Sequence, residues 1–284
     1  MRASQRPPKG VFAKNIRNTR VQFMQSKVSL QVAPLIVAHK GASHDAPENT
    51  IPAFNLAWEQ MADAIEGDFH LTGDGHVVCV HDKTTRRVAD RTLTINRSTL
   101  QELRELDVGS SFGEKYRGTA IPTSSEVFAT VPRNKKVYIE VKCGTEIISR
   151  LLKDLEDANL SEEQVVVISF DEDVLHAMKH EAPRFKYLWL CSLRKGVSGA
   201  VLPSVETTLE TLRRIEADGL SSNKRPIGEE YIEAILGAGY EYHVWTVDNL
   251  NTAIRFKNWG AMSITTNVPG YMRDGILAHE GSEG

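Results

Sequence analysis

The chain has 284 residues, of which 41% are hydrophobic and 25% are charged, a composition typical of a globular protein. No apolar run approaches the ~20 residues that a membrane-spanning helix needs, so no transmembrane segment is predicted. Seven Lys or Arg residues and no acidic residue lie within residues 1–34, whereas the rest of the chain carries 27 basic and 37 acidic residues. An acidic body of this kind argues against a general nucleic-acid binder.

Residues 1–33 are predicted to form a flexible or loosely docked basic arm. They lack the continuous apolar core of a secretory signal, although they are Arg-rich and free of acids, as transit peptides are. We therefore expect a cytoplasmic protein. A targeting role for the arm, or an exported form with a trimmed signal, is the alternative.

Strand-like and helix-like segments alternate from Pro34 onward. The predicted strands are Leu35–His39, Asp63–Thr72, Val137–Val141, Val165–Phe170, Tyr187–Cys191, Gly219–Ser221, Tyr240–Val247 and Met262–Thr265. Helices are predicted at Ile51–Met61, Thr145–Ala158, Glu172–His180, Ser204–Glu216, Gly228–Ala238, Leu250–Asn258 and Pro269–Ile276. Eight such units predict a (β/α)8 TIM barrel over residues 34–284, and their count and total length favour it over a doubly wound open sheet.

A hairpin is predicted within the second unit, because Asp74-Gly75 separates two alternating apolar segments. A two-residue turn there would place Leu71 opposite Val78 and Asp68 opposite His81, with Glu66 on the same face as Asp68. The opposite, apolar face would carry Ile65, Phe69, Val78 and Val80. The alternative is a solvated outer face of an edge hairpin. A polar insertion, about residues 83–125, follows the hairpin and contains one helix, Ser98–Leu106.

Ionisable residues concentrate at the ends of the first three predicted strands, where a barrel of this type carries its chemistry. The second strand presents Glu66 and Asp68, and Glu140 and Lys142 share a face at the end of the third. Neighbouring carboxylates require a cation, and oxygen ligands suit Mg²⁺ or Ca²⁺, so Glu140 is interpreted as a third ligand. Lys142 would then bind an anionic group, although a surface ion pair is the simpler explanation of Glu140 and Lys142 alone.

His39-Lys40 ends the first strand and completes this set. A lone histidine is more often a satisfied core residue. Followed by Lys40-Gly41 at the carboxyl end of a barrel strand, His39 is better placed for chemistry.

Taken together, these segments resemble the glycerophosphodiester phosphodiesterase family in order and spacing along about residues 34–277. The resemblance is carried by His39-Lys40-Gly41-Ala42, Pro47-Glu48-Asn49-Thr50, Glu66-Gly67-Asp68-Phe69-His70-Leu71-Thr72, Asp74-Gly75, His81-Asp82, Glu140-Val141-Lys142 and Val244-Trp245-Thr246-Val247. It implies a barrel with a small insertion after the hairpin. It also implies metal-dependent hydrolysis of small-molecule glycerophosphodiesters to glycerol 3-phosphate and an alcohol.

The resemblance also implies a role for each matching residue. The family's two catalytic histidines fall on His39 and His81. Its metal carboxylates fall on Glu66, Asp68 and Glu140, its phosphate-contacting lysine on Lys142 and its pocket aromatic on Trp245.

Two positions depart from the family pattern. Lys40 stands where the family usually has arginine, which keeps the positive charge but loses bidentate phosphate binding. Asp248 stands where the family usually has asparagine, which adds a negative charge near the mouth and leaves the preferred alcohol open.

Two other functions are compatible with these residues. A phospholipase-D-like enzyme acting on lysolipids or sphingolipids would need an exposed apolar rim, for which the insertion offers Phe112 and Tyr116. A non-catalytic barrel that binds phosphorylated ligands would be favoured by the loss of a histidine or a ligand, and neither is missing. The sequence does not indicate an oligomeric state.

Overall fold

The computed structural model describes residues 33–283 of the chain, with side chains through residue 281. The predicted arm, residues 1–33, therefore lies almost entirely outside the described residues.

Eight parallel strands close into a barrel within the described residues, which confirms the predicted fold class. The strands, with a hairpin partner and a small two-stranded ribbon, are β1 Leu35–His39, β2 Ala64–Leu71, β3 Val77–Cys79, β4 Lys136–Val141, β5 Val165–Ser169, β6 Lys186–Cys191, β7 Arg194–Lys195, β8 Val201–Leu202, β9 Gly219–Asn223, β10 Glu241–Trp245 and β11 Ser263–Thr266. The barrel order is β1-β2-β4-β5-β6-β9-β10-β11, and β11 closes onto β1. Antiparallel β3 extends the sheet from β2.

Helices follow the strands along the chain. They are α1 Ile51–Glu59, α2 Leu100–Arg104, α3 Ser124–Phe128, α4 Ile148–Asp157, α5 Glu172–Glu181, α6 Val205–Arg214, α7 Glu229–Gly237, α8 Leu250–Asn258 and α9 Pro269–Glu283. Short 3₁₀ turns lie at Thr85–Arg87, Ile95–Arg97, Glu114–Tyr116, Thr145–Ile147 and Glu162–Gln164. No helix in this part of the chain is both long and apolar enough to cross a bilayer.

The main apolar core lies between the strands and the helices. Ile65, Phe69, Tyr187 and Tyr242 are fully buried in it, which explains why the parallel strands read as nearly continuous apolar runs. The insertion has a separate cluster, made of Val78, Val80, Ile95, Leu103, Leu106, Val108 and Ile121. Its helix α2 begins at Leu100, two residues later than the predicted start, because Thr99 is the N-cap and forms a reciprocal capping box with Glu102.

The predicted hairpin register is wrong by one residue. His70 pairs with Val78 and Leu71 with Val77, and the Thr72 amide donates to the His76 carbonyl. The loop is therefore three residues long and ends at Gly75, whose φ of +81° is left-handed.

The hydroxyl of Thr72 explains the longer turn, because it donates to Asp74 and accepts from the His76 amide. A one-residue slip exchanges the faces of a strand. Val80 rather than His81 accordingly bonds to the Asp68 backbone, and Val78 and Val80 pack in the insertion cluster, not beside Phe69.

Candidate active site at the carboxyl ends of the strands

Seven of the eight predicted site residues line one cavity of about 250 Å³: His39, Lys40, Glu66, His81, Glu140, Lys142 and Trp245. The remaining one, Asp68, is fully buried and belongs to the carboxylate cluster that adjoins the cavity. Strand register brings the polar residues together, since Glu66 lies beside His39 and Asp68 lies beside Glu140.

Three buried carboxylates form the negative centre of the site. Glu66, Asp68 and Glu140 are 2%, 0% and 9% exposed, and they offer oxygens within 4.8 Å of one another. Oε1 of Glu66 and Oδ1 of Asp68 are buried without a hydrogen-bond partner. Such atoms are costly unless a cation or a donor completes them, so the cluster fits a divalent cation held by carboxylate oxygens.

The pKa values of the three carboxyls reflect the electrostatic cost of burying them beside one another. Burial, with the charges of Asp68 and Glu140, raises the pKa of Glu66 well above its usual value. Burial and the charge of Asp68 raise the pKa of Glu140 to about 7. Burial also opposes ionisation of Asp68, but Lys142, Lys40 and His81 outweigh it and lower its pKa.

Asn49 holds Asp68, a contact that sequence reasoning did not predict. Its Nδ2 donates to Oδ2 of Asp68 at 2.8 Å, and its Oδ1 accepts the Asp68 amide at 3.1 Å. Asn49 has a positive φ of 57° immediately before Thr50, the N-cap of α1. Its signal in the sequence was its place in Pro47-Glu48-Asn49-Thr50.

Two lysines flank the carboxylates. Nζ of Lys142 donates to Oε1 of Glu140 at 2.7 Å and lies 3.5 Å from Oδ1 of Asp68. The Lys40 amide donates to Oε2 of Glu66 at 2.9 Å. Lys40 and Gly41 both have positive φ, and this turn lets the backbone of Lys40 reach Glu66.

His39 is oriented by Asn267, which follows β11. Its Nδ1 lies 2.7 Å from Oδ1 of Asn267. Burial and the neighbouring charge of Lys40 lower the pKa of His39, although Asn267 opposes that shift. The ring is therefore neutral around neutral pH and able to accept a proton.

His81 has different surroundings. Its Nδ1 lies 2.6 Å from Oδ1 of Asp82, whose other oxygen accepts from Nε of Arg87 at 2.9 Å. Arg87 also pairs with Glu48 through both terminal nitrogens, and Glu48 lies 3.5 Å from Nζ of Lys40. The sequence did not indicate Arg87, because the insertion brings it to the site.

An aromatic wall bounds the cavity opposite the ionic groups. Trp245 donates through Nε1 to the Ser221 carbonyl at 3.1 Å, which fixes the indole. Phe170 packs edge-on against it with ring centroids 5.7 Å apart and is 46% exposed. One side of the cavity is thus charged and the other apolar.

Comparison with known proteins places these features in a family. The sequence model of the Glycerophosphoryl diester phosphodiesterase family matches residues 39–271. A glycerophosphodiester phosphodiesterase of Caldanaerobacter subterraneus is 36% identical over 83% of this chain and 94% of its own length. One from Bacillus subtilis is 28% identical over 83% of this chain and 84% of its own.

A solved structure agrees with both. The phosphodiesterase of Oleispira antarctica, in complex with the product sn-glycerol-3-phosphate, superimposes with a TM-score of 0.77 at 25% identity. The match covers 86% of this chain and 97% of that one. The resemblance read from the sequence is confirmed, and the chain belongs to the glycerophosphoryl diester phosphodiesterase family.

Proposed function

We propose that the chain hydrolyses glycerophosphodiesters to glycerol 3-phosphate and an alcohol at the cavity described above, using one bound Mg²⁺ or Ca²⁺. Phosphoric diester hydrolysis is the activity for which its family relatives are named. The observation that carries the assignment to this cavity is the pair of buried oxygens on Glu66 and Asp68 that have no hydrogen-bond partner, next to two histidines with different hydrogen-bond partners.

Glu66, Asp68 and Glu140 would hold the cation. When bound, it would supply Lewis-acid polarisation of the phosphodiester. Lys40 and Lys142 neutralise the charge of the phosphate and stabilise the additional charge that develops as the attacking oxygen approaches.

We assign the general base to His39 and the general acid to His81. Nε2 of His39 accepts the proton of the attacking oxygen, which belongs to water or to a neighbouring hydroxyl of the substrate. Nε2 of His81 donates a proton to the leaving alkoxide, and Asp82 stabilises the protonated ring through Nδ1. The lowered pKa of His39 supports this order, since a base must be unprotonated at the working pH.

Leaving-group dependence tests the assignment. An alkoxide needs a proton to leave, whereas an acidic phenol leaves readily as its anion. His81→Ala should therefore be strongly impaired with glycerophosphocholine and much less impaired with a nitrophenyl phosphodiester. His39→Ala should be impaired with both. The reverse pattern would exchange the two roles, and unimpaired turnover of both substrates in either variant would remove that histidine from the mechanism.

The lysolipid alternative retains one supporting observation. Phe170, at the cavity, and Phe112, in the insertion, are 46% and 42% exposed. Including a lysophospholipid in the substrate panel separates this function, because it would release a lysophosphatidic acid instead of glycerol 3-phosphate.

A further inference from the structure

A chain of hydrogen bonds leads from Asp248 to His39. Oδ2 of Asp248 accepts from Nδ2 of Asn267 at 2.7 Å. Oδ1 of Asp248 accepts from the backbone N–H of Asn267 at 2.8 Å and from the Thr266 hydroxyl at 2.9 Å. Oδ1 of Asn267 in turn lies 2.7 Å from Nδ1 of His39.

These bonds determine which way the side-chain amide of Asn267 faces. An ionised carboxylate only accepts hydrogen bonds, so the NH₂ group of Asn267 must face Asp248 and its carbonyl oxygen must face His39. Ser43 is compatible with this orientation, since its hydroxyl can donate to Oδ1 of Asn267 at 3.0 Å. The amide therefore presents an acceptor to the imidazole.

The orientation of the amide determines the tautomer of His39. Because Oδ1 of Asn267 accepts, Nδ1 of His39 carries the hydrogen, and in the neutral ring Nε2 is left with a free lone pair. A general base needs its lone pair on the nitrogen that meets the substrate. The opposite tautomer would leave a hydrogen on Nε2 and would block proton abstraction there.

We propose that Asn267 and Asp248 are positioning residues that hold His39 in the Nδ1–H tautomer and fix the direction of its ring. The proposal rests on the assignment of His39 as the base. Asn267 acts directly on His39, and Asp248 acts through Asn267.

The position of Asp248 explains why it acts on His39 through hydrogen bonds and not through the long-range effect of its charge. It follows β10, whereas Asn267 follows β11 and His39 ends β1, so the three residues come from successive strands of the closed barrel. Asp248 is exposed, and solvent screens its charge at a distance. Its three short hydrogen bonds act locally and need no electrostatic effect on the substrate. The carboxylate expected near the mouth is thus hydrogen-bonded to Thr266 and Asn267.

Histidine side-chain NMR reads the tautomer without reference to turnover. Long-range ¹H–¹⁵N spectra of the full-length protein with Mg²⁺, with the His39 signals assigned by comparison with His39→Gln, distinguish Nδ1–H from Nε2–H. The wild type should show Nδ1–H at His39, and Asn267→Ala should shift the population toward Nε2–H. An Nε2–H tautomer in the wild type would overturn the proposal, whether or not the protein hydrolyses glycerophosphodiesters.

Kinetics on the same proteins give the second readout. Asn267→Ala should lower kcat about 10- to 100-fold, the scale that misplacement of a catalytic group produces. KM should change by less than about threefold, because neither a carboxylate nor a lysine is removed. Asn249→Ala is the matched control: Asn249 caps α8 one residue after Asp248, so its loss should lower Tm without changing the tautomer or kcat.

A charge exchange tests the role of Asp248. Asn267→Asp alone sets two carboxylates at hydrogen-bond distance and should lower kcat. Adding Asp248→Asn restores a donor–acceptor pair, in which the new amide at position 248 donates to the new carboxylate at position 267, and should recover much of the loss. Wild-type kcat in Asn267→Ala, or no recovery in a folded double variant, would contradict the proposal. If Asn267→Ala does not fold, the double variant and the wild-type spectrum decide the question.

Discussion

Removal of the cation should make the stability of the protein depend on pH in a direction that the carboxylate cluster dictates. Burial beside Asp68 raises the pKa of Glu140 to about 7, from a usual value of 4.5. A carboxyl with a raised pKa holds its proton longer in the folded state than in the unfolded state. Its ionisation therefore opposes folding, and stability is lost as the pH rises from the unfolded pKa to the folded one.

The size of the effect follows from the shift. The difference between 4.5 and about 7 corresponds to about 3 kcal/mol once the pH exceeds the folded pKa. For a chain of this length, 1 kcal/mol changes Tm by about 2 °C, so Glu140 alone accounts for about 6 °C. Glu66 adds to the loss in the same direction, because its pKa is also raised.

Other groups titrate in the same range, so the measurement must isolate Glu140. The lowered pKa of His39 acts in the opposite direction. Because the buried ring resists protonation, the folded state loses stability as the pH falls. Tm should therefore be compared between the wild type and Glu140→Gln, in chelator, from about pH 5 to pH 8. Relative to the wild type, the Tm of the variant should rise by about 5 °C across this range, slightly less than the full effect because pH 5 already lies above the unfolded pKa. Saturating Mg²⁺ or Ca²⁺ should remove the trend from the wild type.

Glu126→Gln provides a matched control. Glu126 belongs to a capping box on α3. Burial alone would raise its pKa, but hydrogen bonds from Arg104 and Thr123 outweigh burial and lower it. Its protonation lies below the tested range, so its effect on Tm should be constant with pH. Parallel curves for the wild type and Glu140→Gln would refute the reasoning.

Three further predictions address other parts of the chain. His39→Ala and His81→Ala should each lower kcat about 10²- to 10⁴-fold with little change in Tm. The kcat of the double variant should be little lower than that of the worse single variant. Steady-state kinetics and thermal melts on the same preparations check both expectations. Glu241 has its pKa lowered to about 2 because hydrogen bonds from His243 and Lys186 outweigh its burial. Glu241→Gln should therefore cost about 1 to 3 kcal/mol at neutral pH in urea unfolding, a loss that disappears as the pH falls from about 4.5 toward 2; an equal loss at acid pH would contradict this. Deleting residues 1–29 should leave Tm and kcat unchanged, and a large fall in Tm would show that the arm is docked.

The barrel was predictable because its strands are buried on both faces. Parallel strands of this kind appear as short apolar runs between helices, and the predicted α8, Leu250–Asn258, has the bounds observed. Other ends differ by a few residues, as in α6, where the prediction began at Ser204 and the helix begins one residue later because Ser204 caps it.

The hairpin register was not predictable from the Asp-Gly pattern. The pattern favours a two-residue turn, but the hydroxyl of Thr72 bonds to both Asp74 and the His76 amide and stabilises a three-residue loop. The carboxylates still converge, because their placement depends on the parallel pairing of β2 with β4 and not on the hairpin.

The residues that orient the predicted site residues also escaped prediction. Arg87 reaches Glu48 across 39 positions of sequence, and Asn267 reaches His39 across 228. Such contacts are created by closure of the barrel and by the fold of the insertion. The local sequence around Arg87 and Asn267 carries no periodicity or motif that would indicate them.

Release of glycerol 3-phosphate from a panel of glycerophosphodiesters, with and without chelator, tests the central claim most directly. The wild type should release it with added Mg²⁺ or Ca²⁺, lose activity in chelator and regain it when the cation is restored. Asp68→Asn should be inactive throughout, because it removes a carboxylate from the centre of the cluster. Full turnover in chelator, or wild-type turnover by Asp68→Asn, would contradict a cation held by Glu66, Asp68 and Glu140.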